Sequence, residues 1–252
     1  MQLDRWHGRS ALVTGASSGI GAAVARALAT TVGMRVAVMA RRADRLQNLA
    51  MESRAQGAEM LVCRGDVSND DDVTQCFEQI RSQWGGIDLL VNNAGTATMS
   101  LLTHGEPKDW RKTLNINVAA PAHCIQHALR DMACRDEGQI INISSIYAHR
   151  DQVPNFALYQ ASKSALRSLT NTLRAELAAA GATIRIGMIS PGMVATEFRE
   201  QATGGAFAYE SYFEQYEPIL PEDVVGAVLY MLSTRPHVQV QDILLSPLGQ
   251  GL

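Results

Sequence analysis

The stretch that decides the fold is Ala11-Leu12-Val13-Thr14-Gly15-Ala16-Ser17-Ser18-Gly19-Ile20-Gly21. The apolar run at its start predicts a strand. Three glycines follow at GxxxGxG spacing, and Ile20, Val24, Ala27 and Leu28 then recur at helical spacing. Strand, glycine turn and helix in direct succession form the opening unit of a doubly wound α/β fold. Glycine lets the backbone turn tightly and approach a ligand without Cβ in the way. The helix start offers free N–H groups and the positive end of its dipole to a phosphate. An ordinary βα turn can also be glycine-rich. Placed straight after the first strand, however, Gly15, Ser17, Ser18, Gly19, Ile20 and Gly21 point to a dinucleotide pyrophosphate site.

Outward from this unit the same alternation continues. Arg35–Ala40, Met60–Cys63, Ile87–Asn92, Gln139–Ile143, Thr183–Ser190 and Ile243–Ser246 are further short runs rich in Val, Ile and Leu. They lack an apolar–polar alternation, which suits strands covered on both faces in a parallel sheet. Between them lie helical stripes such as Val73, Phe77 and Ile80, or Leu166, Leu169, Leu173 and Leu177. The pattern predicts a single Rossmann-type doubly wound domain over residues 1–252, with a seven-stranded parallel sheet flanked by helices. No linker, repeat or low-complexity segment interrupts it.

Composition narrows the function. Lys plus Arg number 22 against 25 Asp plus Glu, for a net charge of −3, so the basic footprint of a nucleic-acid binder is missing. No apolar run reaches the length of a membrane span, and the start of the chain is polar. The four cysteines, Cys63, Cys76, Cys124 and Cys134, show no close pairing. A reducing, cytoplasmic setting is therefore expected, with neither a disulfide scaffold nor a structural zinc site. His123 and His127 share a helical face, but no HExxH pattern or carboxylate partner accompanies them, so no metal is expected.

Twenty residues past Gly21, where a site selective for NAD tends to carry an acidic residue, the chain reads Ala40-Arg41-Arg42. Two guanidiniums there can clamp a 2′-phosphate, which predicts NADP(H) as cofactor.

Further motifs fall at the strand ends: Asp66-Val67, Asn92-Asn93-Ala94-Gly95, Leu114-Asn115-Ile116-Asn117-Val118, Ser144-Ser145, Tyr159-Gln160-Ala161-Ser162-Lys163 and Ser190-Pro191-Gly192. In this order, and with the glycine loop, the sequence resembles the short-chain dehydrogenase/reductase family from about Gly8 to Leu248. The opening around Asp4-Arg5-Trp6 and the ending around Pro221–Val225 and Gln241-Asp242-Ile243 also resemble one subgroup. That subgroup holds farnesol dehydrogenases and cytosolic reductases of steroid keto groups.

The resemblance implies an alcohol–carbonyl oxidoreductase. Tyr159 and Lys163, one helical turn apart, share a face. A free phenol titrates near ~10, and a neighbouring ammonium would lower that value. The resemblance makes Tyr159 the proton donor and acceptor. Lys163 holds the nicotinamide ribose, and Ser145 stabilises charge on the substrate oxygen. Asn117 kinks its helix and anchors a water leading to the lysine. Asp66 and Val67 contact the adenine, and Asn93, Ala94 and Gly95 line the adenosine ribose. Pro191, Gly192, Val194 and Thr196 cradle the nicotinamide. The fourteen positions from Ser145 to Tyr159 exceed the usual spacing by one. Relatives also suggest a homodimer or homotetramer.

The substrate side is read from the aromatics. Of five Phe, six Tyr and three Trp, six lie between Phe198 and Tyr216: Phe198, Phe207, Tyr209, Tyr212, Phe213 and Tyr216. The segment 193–218 is expected to cover the pocket, with Met193, Phe198, Phe207, Tyr212, Tyr147 and His149 at the substrate. Such a wall suits a ketone, aldehyde or alcohol on a hydrophobic body. His149 reads equally as a plain loop residue. Two alternatives stay open: a 3-hydroxy acid or 3-oxoacyl reductase using Arg150 or Arg199, and a catalytically idle NADP-binding redox sensor.

Overall fold

The computed structural model describes residues 3–133, 135, 137–150, 155–204 and 217–250. Among them, seven strands form one parallel sheet: β1 (Ser10–Thr14), β2 (Arg35–Ala40), β3 (Met60–Arg64), β4 (Leu89–Asn92), β5 (Gly138–Ile143), β6 (Ile184–Pro191) and β7 (Asp242–Leu245). Their spatial order is β3-β2-β1-β4-β5-β6-β7. The helices are α1 (Gly19–Thr30), α2 (Ala43–Arg54), α3 (Asp70–Trp84), α4 (Pro107–Leu114), α5 (Ala120–Ala133), α6 (Ala157–Ala179), α7 (Phe198–Thr203) and α8 (Pro221–Ser233).

The unbroken apolar strands are explained by two cores, one on each face of the sheet. Successive strand residues point to opposite faces. Thus Ala11 and Val13 pack with residues of α1, α2 and α8, while Leu12 between them packs with residues of α3 and α5. All five β1 residues are buried. The buried polar groups at the sheet centre are paired in a row: Asn92 Nδ2 donates to Asn142 Oδ1 (2.9 Å), and Asn142 Nδ2 donates to Thr170 Oγ1 (2.9 Å).

The strand order fixes where a ligand can bind. From β1 the chain winds one way through β2 and β3, then returns to β4 on the other side of β1. The reversal leaves a crevice beyond the carboxyl ends of β1 and β4, because the connections there diverge to opposite faces. No helix among the described residues is long and apolar enough to cross a membrane. Cys63, Cys76 and Cys124 are buried free thiols.

Candidate active site

The glycine loop follows β1. Gly15 has φ +67°, and a Cβ there would stand 2.8 Å from Ala94 Cα, so no larger residue fits. Gly21 is equally enclosed, by Asn93 Nδ2 and the Gly15 carbonyl. The Asn93 side chain binds the loop to the end of β4: its Nδ2 donates to Thr14 O (2.9 Å) and Gly15 O (3.3 Å). Ser18 caps α1 with extended backbone (φ −168°), and its hydroxyl makes no cap bond, so the first N–H groups of α1 keep no side-chain partner there.

These elements border a cleft of about 500 Å³ over the carboxyl ends of the strands. Of the residues expected at a cofactor, Gly15, Ser17, Ser18, Gly19, Ile20, Arg41, Arg42, Asp66, Val67, Asn93, Ala94 and Gly95 line it. Lys163, Pro191, Gly192, Val194 and Thr196 line it as well. Gly21 does not; it lies beneath, in the packing just described. Arg42, on the loop after β2, reaches back to the glycine loop. Its Nε and Nη2 donate to Ser17 Oγ (3.1 and 3.0 Å), and Nη2 donates to Ser18 Oγ (2.7 Å). Arg41 lies 3.7 Å from Asp66. Burial alone would raise the Asp66 carboxyl. Hydrogen bonds from Ser68 and the Arg41 charge outweigh it and hold the group below its usual range.

At the other end sit Ser145, Tyr159 and Lys163. Ser145 ends the run after β5 and caps a single turn, Ile146–His149, accepting from Tyr147 N at 3.2 Å. Tyr159 and Lys163 project from the first two turns of α6, both buried. Lys163 Nζ donates to Ile143 O at 2.9 Å and lies 5.7 Å from the Tyr159 ring centre. Burial pushes the Lys163 ammonium down to about 8. It pushes the Tyr159 phenol up, and a hydrogen bond with Ser145 opposes that only in part. The expected lowering of the phenol is therefore not what this pocket alone produces: desolvation exceeds every opposing interaction.

Asn117 is placed apart from the cleft. It lies in a π-helical turn, Asn115–Ala119, that joins α4 to α5. Its Oδ1 accepts from Thr96 N (2.9 Å), and its Nδ2 donates to Thr96 O (2.8 Å) and Ser162 Oγ (2.9 Å). It clamps the loop after β4 to the helix that carries Tyr159 and Lys163. The π-turn is the irregularity observed here, and such turns are a known cause of helix kinks.

The apolar wall at this end is Tyr147, Phe156, Tyr159 and Phe198. Their ring centres are 5.7 to 6.5 Å apart, in tilted or edge-on pairs. Met193 also lines the cleft. His149 does not. Its Nε2 lies 2.9 Å from Asp242 Oδ2, and Arg167 Nη1 lies 3.0 Å from its Nδ1, contacts that turn the ring toward β7 rather than into the cleft. Phe207 and Tyr212 lie outside the described residues. The aromatic Phe156, the cation Lys112 on α4 and the C-terminal Gln250 line the cleft without having been expected. Gln250 Oε1 accepts from Met193 N at 3.0 Å. No local pattern marks these three, since only the tertiary fold brings them in.

The cleft fits a dinucleotide. A Cβ at Gly95 would stand 3.5 Å from Asn117 Oδ1 and 3.7 Å from Lys163 Nζ, filling space beside the buried ammonium. The glycine loop, the uncapped start of α1 and the Arg42 guanidinium form one cationic and N–H-rich end.

A switch-point crevice closed at one end by Ser145, Tyr159 and Lys163 defines an oxidoreductase built on a dinucleotide fold. The chain belongs to the short-chain dehydrogenase family, whose pattern it matches over residues 9–205. It is 42% identical to Dehydrogenase/reductase SDR family member 11 of Mus musculus, over 98% of this chain and 97% of that one. It is 39% identical to the Farnesol dehydrogenase of Aedes aegypti, over 98% and 99%. An alcohol dehydrogenase of Thermococcus sibiricus, solved in complex with 5-hydroxy-NADP, superposes with TM-score 0.86 at 27% identity, over 98% of this chain and 99% of that one.

Proposed function

We propose that this protein interconverts a carbonyl and an alcohol on a hydrophobic substrate, with NADP(H) as hydride carrier. One observation carries the reading: Ser145, Tyr159 and Lys163 share a cleft with an aromatic wall at their end and the Arg42-glycine loop at the other. The resemblance to a farnesol dehydrogenase and to an alcohol dehydrogenase bound to an NADP analogue supports it.

The bound nicotinamide supplies or takes up the hydride. Ser145 holds the substrate oxygen and disperses the charge that develops on it. Tyr159, kept protonated by its burial, gives its phenolic proton to that oxygen during reduction and removes one during oxidation. Lys163 donates one of its three N–H groups to Ile143 O, and the others would hold the ribose of a bound nucleotide. Asn117 holds the helix that bears both side chains in register with the loop after β4. Tyr147, Phe156 and Phe198 exclude water and receive the apolar body of the substrate. Of the segment 193–218, the described residues Met193, Val194, Thr196, Phe198 and Ala202 border the pocket of a single domain, and the active form is a homodimer or homotetramer. Buried free thiols suit a cytoplasmic setting.

A second reading is reduction of 3-oxo acids or 3-oxoacyl groups, and the observation on its side is a cation, Arg199, in the lining of the cleft beside Met193. A panel of apolar ketones, isoprenoid aldehydes and 3-oxo acids, each tested with NADPH and NADH, separates the two. The account expects apolar carbonyls with NADPH to give the highest kcat/KM. A preference for the acids would transfer the assignment to the second reading.

A further inference from the structure

Arg42, one of the two guanidiniums that the NADP reading gives to a 2′-phosphate, is already engaged by a carboxylate of this chain. Glu197 precedes α7, on the segment that follows β6. Its Oε2 accepts from Arg42 Nη1 at 3.0 Å. Its two oxygens accept from Arg45 Nη1 at 2.8 and 2.9 Å. Hydrogen bonds from Arg45 and Arg42 hold the Glu197 carboxyl below its ordinary range. The same Arg42 guanidinium is fixed by Ser17 and Ser18 at the start of α1. Gln201 Nε2 on α7 also donates to Glu197 Oε2 at 3.4 Å. Arg42 thus joins three distant segments, donating to the hydroxyls of the glycine loop on one side and, with Arg45 of α2, to the carboxylate that precedes α7 on the other.

We propose that Glu197 is an internal occupant of the 2′-phosphate subsite, displaced when that phosphate binds. This rests on the NADP reading. A phosphomonoester dianion and a carboxylate cannot share two guanidiniums without repulsion, so one must leave. The carboxylate is the one able to do so. Its side chain is 42% exposed, those of Arg42 and Arg45 are 37% and 40% exposed, and ion pairs of that exposure are weak. A dianion on a bidentate pair of guanidiniums is the stronger partner. Departure of Glu197 also releases the first residue before α7. That helix carries Phe198 of the aromatic wall and is fastened to the loop after β4 by Met99 N donating to Ala202 O (2.9 Å). Occupation of the phosphate subsite and the placement of Phe198 are thereby linked through one side chain, and NADH, lacking the phosphate, leaves the link closed.

The test is calorimetric binding of NADPH and NADH to the wild type, to Glu197→Gln and to Arg45→Gln. Hydrogen exchange of amides 198–204 is followed alongside. Glu197→Gln is expected to tighten NADPH binding about three- to tenfold and leave NADH unchanged. Arg45→Gln is expected to weaken NADPH alone. NADPH, but not NADH, should speed exchange in 198–204 of the wild type, and Glu197→Gln should show the faster exchange without ligand. Unchanged or weaker NADPH binding by Glu197→Gln overturns the proposal, as does exchange that responds equally to both nucleotides. The NADP reading fails separately, if the wild type binds NADH as tightly as NADPH.

Discussion

Burial acts in opposite senses on the two side chains that stand one turn apart at the start of α6. It makes Lys163 easier to deprotonate, near 8, and makes Tyr159 harder to deprotonate. The consequence is directional. Reduction needs the neutral phenol as acid, and burial keeps it neutral through the physiological range. Oxidation needs the phenolate. The kcat/KM for carbonyl reduction should therefore be flat through neutral pH and fall on the alkaline side. Its first break should come near pH 8, as Lys163 loses its proton. The kcat/KM for alcohol oxidation should instead rise with pH as the phenolate forms. Paired pH profiles in the two directions check this. A reduction rate that climbs between pH 7 and 9 would mean that Tyr159 is not the acid. At this scale the sequence was readable where placement depends on local spacing, as with Tyr159 and Lys163, which reach the cleft from one face of α6. It was unreadable for His149, whose direction is set by Asp242 on a distant strand and by Arg167 on α6.

Among the elements, the π-turn Asn115–Ala119 ties local irregularity to the site. Asn117 fills it with three hydrogen bonds, to both backbone groups of Thr96 and to Ser162. Removing one partner of a buried set leaves the others unpaired. Asn117→Ala should thus cost roughly 1–3 kcal/mol of stability. It should lower kcat at least tenfold while changing KM less, because α6 loses its register with the loop after β4. Thermal melts and steady-state kinetics on one preparation check both. An unchanged kcat in a destabilised protein would reduce Asn117 to a purely structural residue. The strands were largely legible: β2 has the expected bounds, Arg35–Ala40, its apolar run being buried and paired with β1 and β3 on both sides. β4 starts at Leu89 rather than Ile87, since Ile87 N donates to Asp131 Oδ2 and not to a neighbouring strand. α6 starts at Ala157, about two and a half turns before Leu166, where the leucine stripe that announced it begins. The π-turn left no trace in the periodicity, because its cause is tertiary.

For the molecule as a whole, one sheet order places every part of the proposed machine. The winding reversal between β1 and β4 opens the crevice. The glycine loop and Arg42 close one end, and β5 and α6 deliver Ser145, Tyr159 and Lys163 to the other. Lys112 on α4, Phe156 just before α6 and Gln250 beyond β7 bring in what the sequence did not announce. Proton transfer by Tyr159 within this frame is the central claim. It is tested most directly by following loss of reduced-nicotinamide absorbance with an apolar ketone, in the wild type and in Tyr159→Phe, beside NADPH binding by fluorescence. The account predicts a turning-over wild type and a variant about a thousandfold slower that binds NADPH with unchanged affinity. A variant that retains its rate, or a wild type that binds NADPH and reduces no carbonyl, would contradict it.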